Sequence, residues 1–137
     1  MAKAVRFHET GGPDVLRVED LAVGDPGPGE VRIRHAAVGC NFADTYFRSG
    51  YYPAQLPAGI GVEGAGTIEA VGAGVTGFAD YYADPAERAE LSALWFGHLA
   101  AGRIKVEIGQ RYALDDCVAA HRALETGQTI GSSIFVL

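Results

Sequence analysis

Ala37-Val38-Gly39-Cys40-Asn41-Phe42-Ala43-Asp44-Thr45-Tyr46-Phe47-Arg48-Ser49-Gly50-Tyr51-Tyr52 sets an amide, a carboxylate, an arginine and three tyrosines within sixteen positions. Gly39 and Gly50 bracket the stretch as turn residues do. A short helix over Asn41 to Ser49 places Asn41, Thr45 and Arg48 on one face with Asp44 beside it. Phe42, Tyr46 and Ser49 then line the neighbouring stripe. A polar row beside an aromatic row suits a flat, partly polar ligand, because rings stack on it and an amide fixes its orientation. A surface turn whose tyrosines cap the core accounts for the same residues.

Outward from this stretch the chain alternates like strands. Lys3 to Phe7 reads as a first strand and Leu16 to Leu21 as a second, with Gly11-Gly12-Pro13 turning the chain between them. Gly24-Asp25-Pro26-Gly27-Pro28-Gly29 is a loop by composition. Val31 to Ala36 alternates, with Val31, Ile33 and His35 on one face, a position that favours a hydrogen-bonded core histidine over a functional base. Proline makes 53–57 irregular, since it lacks a donor and restricts the residue before it.

Gly59, Gly61 and Gly64 match the spacing of a dinucleotide-binding fingerprint. That fingerprint requires a strand before it and a helix after it. Here Pro57 precedes, Glu63 adds a negative charge where phosphates would lie, and Thr67 to Gly72 alternates as a strand. The match is therefore rejected in favour of closely packed, kinked barrel strands, where glycines let backbones approach.

Past Gly77 the pattern becomes helical. Asp84, Pro85 and Glu87 read as a helix start, and Leu91, Leu94, Trp95, His98 and Leu99 fall on one face before Gly102 stops the helix. That face reads as a core stripe in preference to a ligand site. Ile104 to Ile108 alternates as a strand. A second helix begins near Asp115, buries Cys117, Val118, His121 and Leu124, and ends at Gly127; Ile134 to Leu137 closes as a buried strand. The expected fold class is mainly β with α: a partly open β-barrel with two C-terminal helices.

Composition narrows the function. A chain of 137 residues has room for one domain that buries a core without staples. Nineteen glycines are about twice the usual share, which favours turns and strands. A net charge of −6 argues against nucleic acid, whose phosphates need a basic face. No apolar run approaches the ~20 residues of a membrane span. Cys40 and Cys117 stand far apart in unlike contexts, which suits neither a disulfide framework nor zinc and fits a reducing, cytoplasmic setting, with Cys117 as inert packing.

The order of motifs resembles the zinc-independent NADPH:quinone oxidoreductases, the zeta-crystallin-like branch of the medium-chain dehydrogenase/reductase superfamily. Five passages carry the resemblance: 7–16, 39–50, 61–66, 97–102 and 116–125. It implies a GroES-like substrate domain. In the zinc-dependent relatives the central stretch supplies a cysteine ligand and the glycine-rich one a histidine; here those positions hold Asn41 and Val62. Valine has no lone pair and a neutral amide is a poor zinc ligand, so no metal is expected. By resemblance, Asn41, Phe42 and Asp44 lie near the nicotinamide end of NADPH, and Tyr46 and Tyr52 line a quinone cleft. Tyr52 or Arg48 would then hydrogen-bond the quinone oxygen as negative charge develops on it.

The same resemblance exposes a gap. Family members insert a Rossmann domain between the two parts of the substrate domain and carry a Gly-Asp-Arg-Val barrel strand after the position of Phe78. Here the text passes from Phe78-Ala79 directly to Asp80-Tyr81-Tyr82. The expectation is a single substrate domain over 1–137, made of 1–79 and 80–137 joined where the nucleotide-binding domain is missing. Such a chain alone would bind NADPH poorly and turn over little or nothing. Its partners would be a quinone or another small aromatic molecule, without nucleic acid or membrane, and its exposed barrel edges and Trp95 face would favour homo-oligomers. The competing reading is a non-catalytic GroES-like module that binds a partner protein or small aromatic ligand through Tyr46, Tyr51 and Tyr52.

Overall fold

The computed structural model describes residues 1–74 and 85–137. β1 (Ala2–Phe7) runs antiparallel between β2 (Arg17–Leu21) and the two-residue β4 (Ala58–Gly59). A second sheet has the order β5-β3-β7-β6, built from β3 (Val31–Cys40), β5 (Gly64–Val71), β6 (Ile108–Ala113) and β7 (Ser132–Val136). β3 pairs antiparallel with β5 on one side and with β7 on the other. β6 and β7 are parallel, as a crossover through an intervening helix permits. Among the described residues the two sheets are separate and do not close into a barrel. The fold is thus mainly β with α.

Among the described residues three α-helices accompany the sheets: α1 (Phe42–Ser49), α2 (Pro85–Ala100) and α3 (Cys117–Glu125). Gly50 stops α1 at φ +84°, a left-handed conformation that costs glycine nothing. Asp116 sits at the N-cap of α3, where its charge faces the positive end of the helix dipole. The buried core joins both halves of the chain: Phe7, Leu16 and Cys40 meet Cys117, Ala120 and Phe135.

Three expectations from the sequence need correction. Ile104 to Lys105 and on to Glu107 is not strand; β6 begins at Ile108, where pairing with Ser132 of β7 becomes available. His35 is exposed and no core histidine, because β3 is bulged between Arg32 and Ile33 and again between His35 and Ala37, so simple alternation fails there. Leu94, Trp95 and Leu99 of α2 are exposed, with Trp95 59% accessible, so this stripe forms no core among the described residues. The Ala79-Asp80 junction and the expected N-cap at Asp84 lie outside the described residues.

Glycines allow the tight pairing of β3 and β5. A Cβ on Gly66 would stand 2.0 Å from the Arg34 carbonyl oxygen, and one on Gly64 would stand 3.0 Å from Nε2 of His35. The passage 59–66 leads into a strand, and within it Gly66 serves close backbone approach, whereas Gly61 has nothing within 4 Å of a Cβ and Gly64 faces the His35 ring.

Candidate functional site

Asn41 precedes α1 in extended conformation and Asp44 occupies the third helical position. The Asp44 carboxylate accepts the Asn41 backbone N–H at 3.0 Å through Oδ2 and the Gly61 N–H at 3.1 Å through Oδ1. Two charge-assisted hydrogen bonds thus fasten the helix start to the glycine-rich passage. Asn41 donates from Nδ2 to Oε2 of Glu63 at 2.9 Å, and Gly39 N–H donates to the Glu63 carbonyl at 3.1 Å. Glu63 thereby fixes which way the Asn41 amide faces.

The helix turns its polar row inward. Asp44, Thr45 and Arg48 are buried, whereas Phe42, Tyr46, Tyr51 and Tyr52 are exposed. Burying an arginine requires partners for its charge. Arg48 donates to the Gly11 carbonyl and to the Glu125 carboxylate of α3, so it ties α1 to the C-terminal part of the chain and is not offered to a ligand beside the tyrosines. Its expected place at a quinone oxygen is replaced by this inward pairing.

Outside, the rings form a continuous cluster. Tyr46 stands 5.6 Å from Phe42 and 5.3 Å from Tyr52, both edge to face, and 5.3 Å from Tyr51. Tyr52 also meets Phe47 at 5.3 Å, and its backbone N–H donates to the Tyr46 carbonyl at 2.9 Å. These contacts gather the rings of Phe42, Tyr46, Tyr51 and Tyr52 into one partly exposed aromatic cluster. The six residues singled out from the sequence therefore divide: Phe42, Tyr46 and Tyr52 form an outer face, Asp44 and Arg48 an inner one, and Asn41 stands at the boundary.

The inner side opens on a cleft of ≈ 500 Å³ between the two sheets, lined by His35, Asp44, Glu63, Phe135 and His121 among others. None of the tyrosines reaches it. Burial lowers the pKa of His121, with the Arg48 charge acting in the same direction and Asp44 and Glu125 opposing. Burial, aided by Asp44 and Cys117, pushes the Cys40 thiol up to about 11. Cys117 is buried and its pKa is raised as well, as suits inert packing. Among the described residues no three His, Cys, Asp or Glu side chains lie close enough to hold a metal ion, and no helix is long and apolar enough to cross a membrane.

The sequence alone did not single out Glu63 or Glu125 as partners. Glu63 lies 22 residues from Asn41, and Glu125 lies 77 from Arg48, so only the fold brings each pair together.

The described residues fit a dinucleotide poorly. The glycine-rich passage leads to a strand, its Gly61 amide is committed to Asp44, and the carboxylates of Asp44 and Glu63 would oppose a pyrophosphate. Arg32 and Arg34 pair with Glu69, and Arg6 with Glu19. What these residues provide is an exposed aromatic cluster beside an oriented amide.

Residues 27–80 match the alcohol dehydrogenase GroES-like domain. The quinone oxidoreductase of Pseudomonas aeruginosa is 57% identical over 79 residues, covering 57% of this chain and 24% of that protein. Quinone oxidoreductase 1 of Escherichia coli is 46% identical over 76 residues, covering 55% of this chain and 23% of that protein. The chain thus spans about a quarter of the length of these relatives. The crystal structure of the Escherichia coli quinone oxidoreductase complexed with NADPH superimposes with a TM-score of 0.53 at 44% identity, over 56% of this chain and 24% of that one. A mycobacterial quinone oxidoreductase structure superimposes with a TM-score of 0.82 over 98% of this chain and 99% of that one, at 19% identity, a likeness of fold alone that extends past α1 into the C-terminal elements. Over its N-terminal half this chain is similar to the quinone oxidoreductases, and within that half residues 27–80 carry the match to the alcohol dehydrogenase GroES-like domain.

Proposed function

We propose that the chain is the substrate-side domain of a zinc-independent quinone oxidoreductase whose family reaction is hydride transfer from NADPH to a quinone. In this reading 1–79 and 80–137 are the two parts of one GroES-like domain, joined where the nucleotide-binding domain of longer relatives stands. The outer face of α1 carries the proposal: Phe42, Tyr46 and Tyr52 present clustered rings next to the Glu63-oriented amide of Asn41. A quinone is flat and has two carbonyl oxygens, so ring faces supply its binding energy and phenol or amide donors meet its oxygens. Tyr46 and Tyr52 take the role of hydrogen-bond donors to the oxygen on which charge develops.

NADPH would bring the hydride, and holding it against the quinone requires a cradle for its phosphates. The Gly61 amide is committed to Asp44 and the Asn41 amide to Glu63, so the glycine-rich passage supplies no such cradle, and this chain alone binds NADPH weakly and turns over little or nothing. Titration with 2-methyl-1,4-naphthoquinone and, separately, with NADPH tests both parts. Saturable quinone binding that Tyr46→Ala and Tyr52→Ala weaken supports the assignment. Quinone binding untouched by either change overturns it, and a family-like turnover rate with NADPH overturns the claim of inactivity.

A second reading is favoured by one observation. Tyr51 is 75% exposed and joins the ring cluster through Tyr46 and Tyr52, so the same face suits a non-catalytic contact with a partner protein or small aromatic ligand. Exposed Leu94, Trp95 and Phe96 on α2 likewise favour a homo-oligomer, which light scattering on the eluting protein tests.

A further inference from the structure

We propose that Glu63 is a positioning and specificity-determining residue of the quinone site: it holds the Asn41 amide in one orientation and restricts the acceptor met there to an uncharged one. This role rests on the quinone reading above and adds the class of quinone accepted. A carboxylate only accepts hydrogen bonds, so Oε2 of Glu63 meets the NH2 end of Asn41, at 2.9 Å, and the carbonyl end is turned away. Nδ2 carries a second hydrogen, which no described residue takes. The pair is held from the main chain on both sides. The Gly39 N–H donates to the Glu63 carbonyl at 3.1 Å, and the Asn41 N–H to Asp44 at 3.0 Å. Gly39 also lacks the atom that would part the two side chains. A Cβ there would stand 2.1 Å from Oε2 of Glu63 and 2.9 Å from Nδ2 of Asn41.

Charge sets the specificity. Glu63 forms no ion pair with any described residue. Asp44, its oxygens taken by the Asn41 and Gly61 amides, adds a second carboxylate close to Asn41. An N–H beside an unneutralised carboxylate suits the carbonyl oxygen of an uncharged quinone and opposes a ligand that brings its own anion.

Titration of the full chain with 2-methyl-1,4-naphthoquinone and with 1,4-naphthoquinone-2-sulfonate tests both roles, with circular dichroism establishing that each variant is folded. Glu63→Leu should weaken binding of the uncharged quinone about fivefold, because the amide is left free to turn. Glu63→Gln, whose side-chain carbonyl still accepts from Asn41, should recover most of that loss. Gly39→Ala, whose methyl pushes the carboxylate aside, should match Glu63→Leu. The sulfonate should bind the unaltered chain more weakly than the uncharged quinone does, and Glu63→Gln should tighten it about threefold at low ionic strength and little at high salt. A second readout needs no ligand: one proton of the Asn41 side-chain amide should lie downfield in nitrogen–proton correlation spectra and move upfield in Glu63→Leu. Binding of the uncharged quinone that Glu63→Leu leaves unchanged, or an Asn41 resonance that ignores the substitution, overturns the proposal while the quinone reading stands. An effect of Glu63→Leu that persists undiminished in an Asn41→Ala background makes Glu63 merely structural and overturns it too. Failure of the unaltered chain to bind the uncharged quinone overturns the quinone reading and this role together.

Discussion

The guanidinium of Arg48 in α1 is paired with the carboxylate of Glu125 in α3, across 77 residues of sequence. The pair is lopsided: the Arg48 side chain is 1% exposed and that of Glu125 is 35% exposed. Removing Glu125 leaves a charge in the interior with the Gly11 carbonyl as its one remaining hydrogen-bond partner among the described residues. Removing Arg48 leaves a carboxylate that water can still reach. Glu125→Ala should therefore cost about 3 kcal/mol of unfolding free energy. The double variant Arg48→Met/Glu125→Ala should be more stable than Glu125→Ala alone. Urea titrations of the two variants beside the parent decide this, and a double variant weaker than Glu125→Ala would mean that Arg48 acts mainly by packing.

His121 makes stability depend on pH. Burial and Arg48 lower its pKa in the folded state, against the partial opposition of Asp44 and Glu125. Above the ordinary histidine value near 6.5 the ring is neutral in both states and the slope is small. As pH falls below about 6.5 the unfolded chain takes up a proton that the folded one resists, so stability drops by up to about 1.4 kcal/mol per pH unit until the folded value is passed. Urea midpoints at pH 7.5 and 5.5 should differ more for the unaltered chain than for His121→Leu. Equal differences would show that other groups carry the effect.

Helix α1, its glycine stop and the strand that follows the glycine-rich passage were legible in the sequence, because each is a local matter of periodicity and turn chemistry. The orientation of α1 was not. Asp44 and Arg48 look like ligand groups since charged residues are rarely buried, and only the distant amide of Gly61 and carboxylate of Glu125 make their burial affordable. His35 failed for a similar reason, since two bulges in β3 break an alternation that the residues alone suggest. Ile104 to Ile108 alternates well, yet a strand needs a neighbour, and β7 offers one only from Ile108 onward.

Thiol chemistry offers a separate check. Cys40 is buried with its pKa pushed up to about 11, and Cys117 is buried and raised too. At pH 8 the thiolate fraction of Cys40 is then on the order of one in a thousand, and the thiolate is the reactive form. Neither cysteine should react with an aromatic disulfide reagent in the folded protein over minutes, and both should react at once in denaturant. Rapid labelling of the native chain would contradict the buried core that joins its two halves.

Two glycines should answer alanine with opposite signs. At Gly66 the new methyl would stand 2.0 Å from the Arg34 carbonyl oxygen and 2.7 Å from the Cα of His35, both backbone atoms held by the β3–β5 ladder. Backbone cannot swing aside as a side chain does, so Gly66→Ala should cost about 3 kcal/mol. Gly97, in the last turn of exposed α2, has nothing within 4 Å of the same position. There alanine only reduces the freedom of the unfolded chain and improves helix propensity, so Gly97→Ala should add about 0.5–1 kcal/mol. Thermal melts of the two variants beside the parent provide the measurement. A tolerated Gly66→Ala would mean that β5 does not lie against β3 in this register, and the cleft bordered by His35 and Gly64 would have to be redrawn.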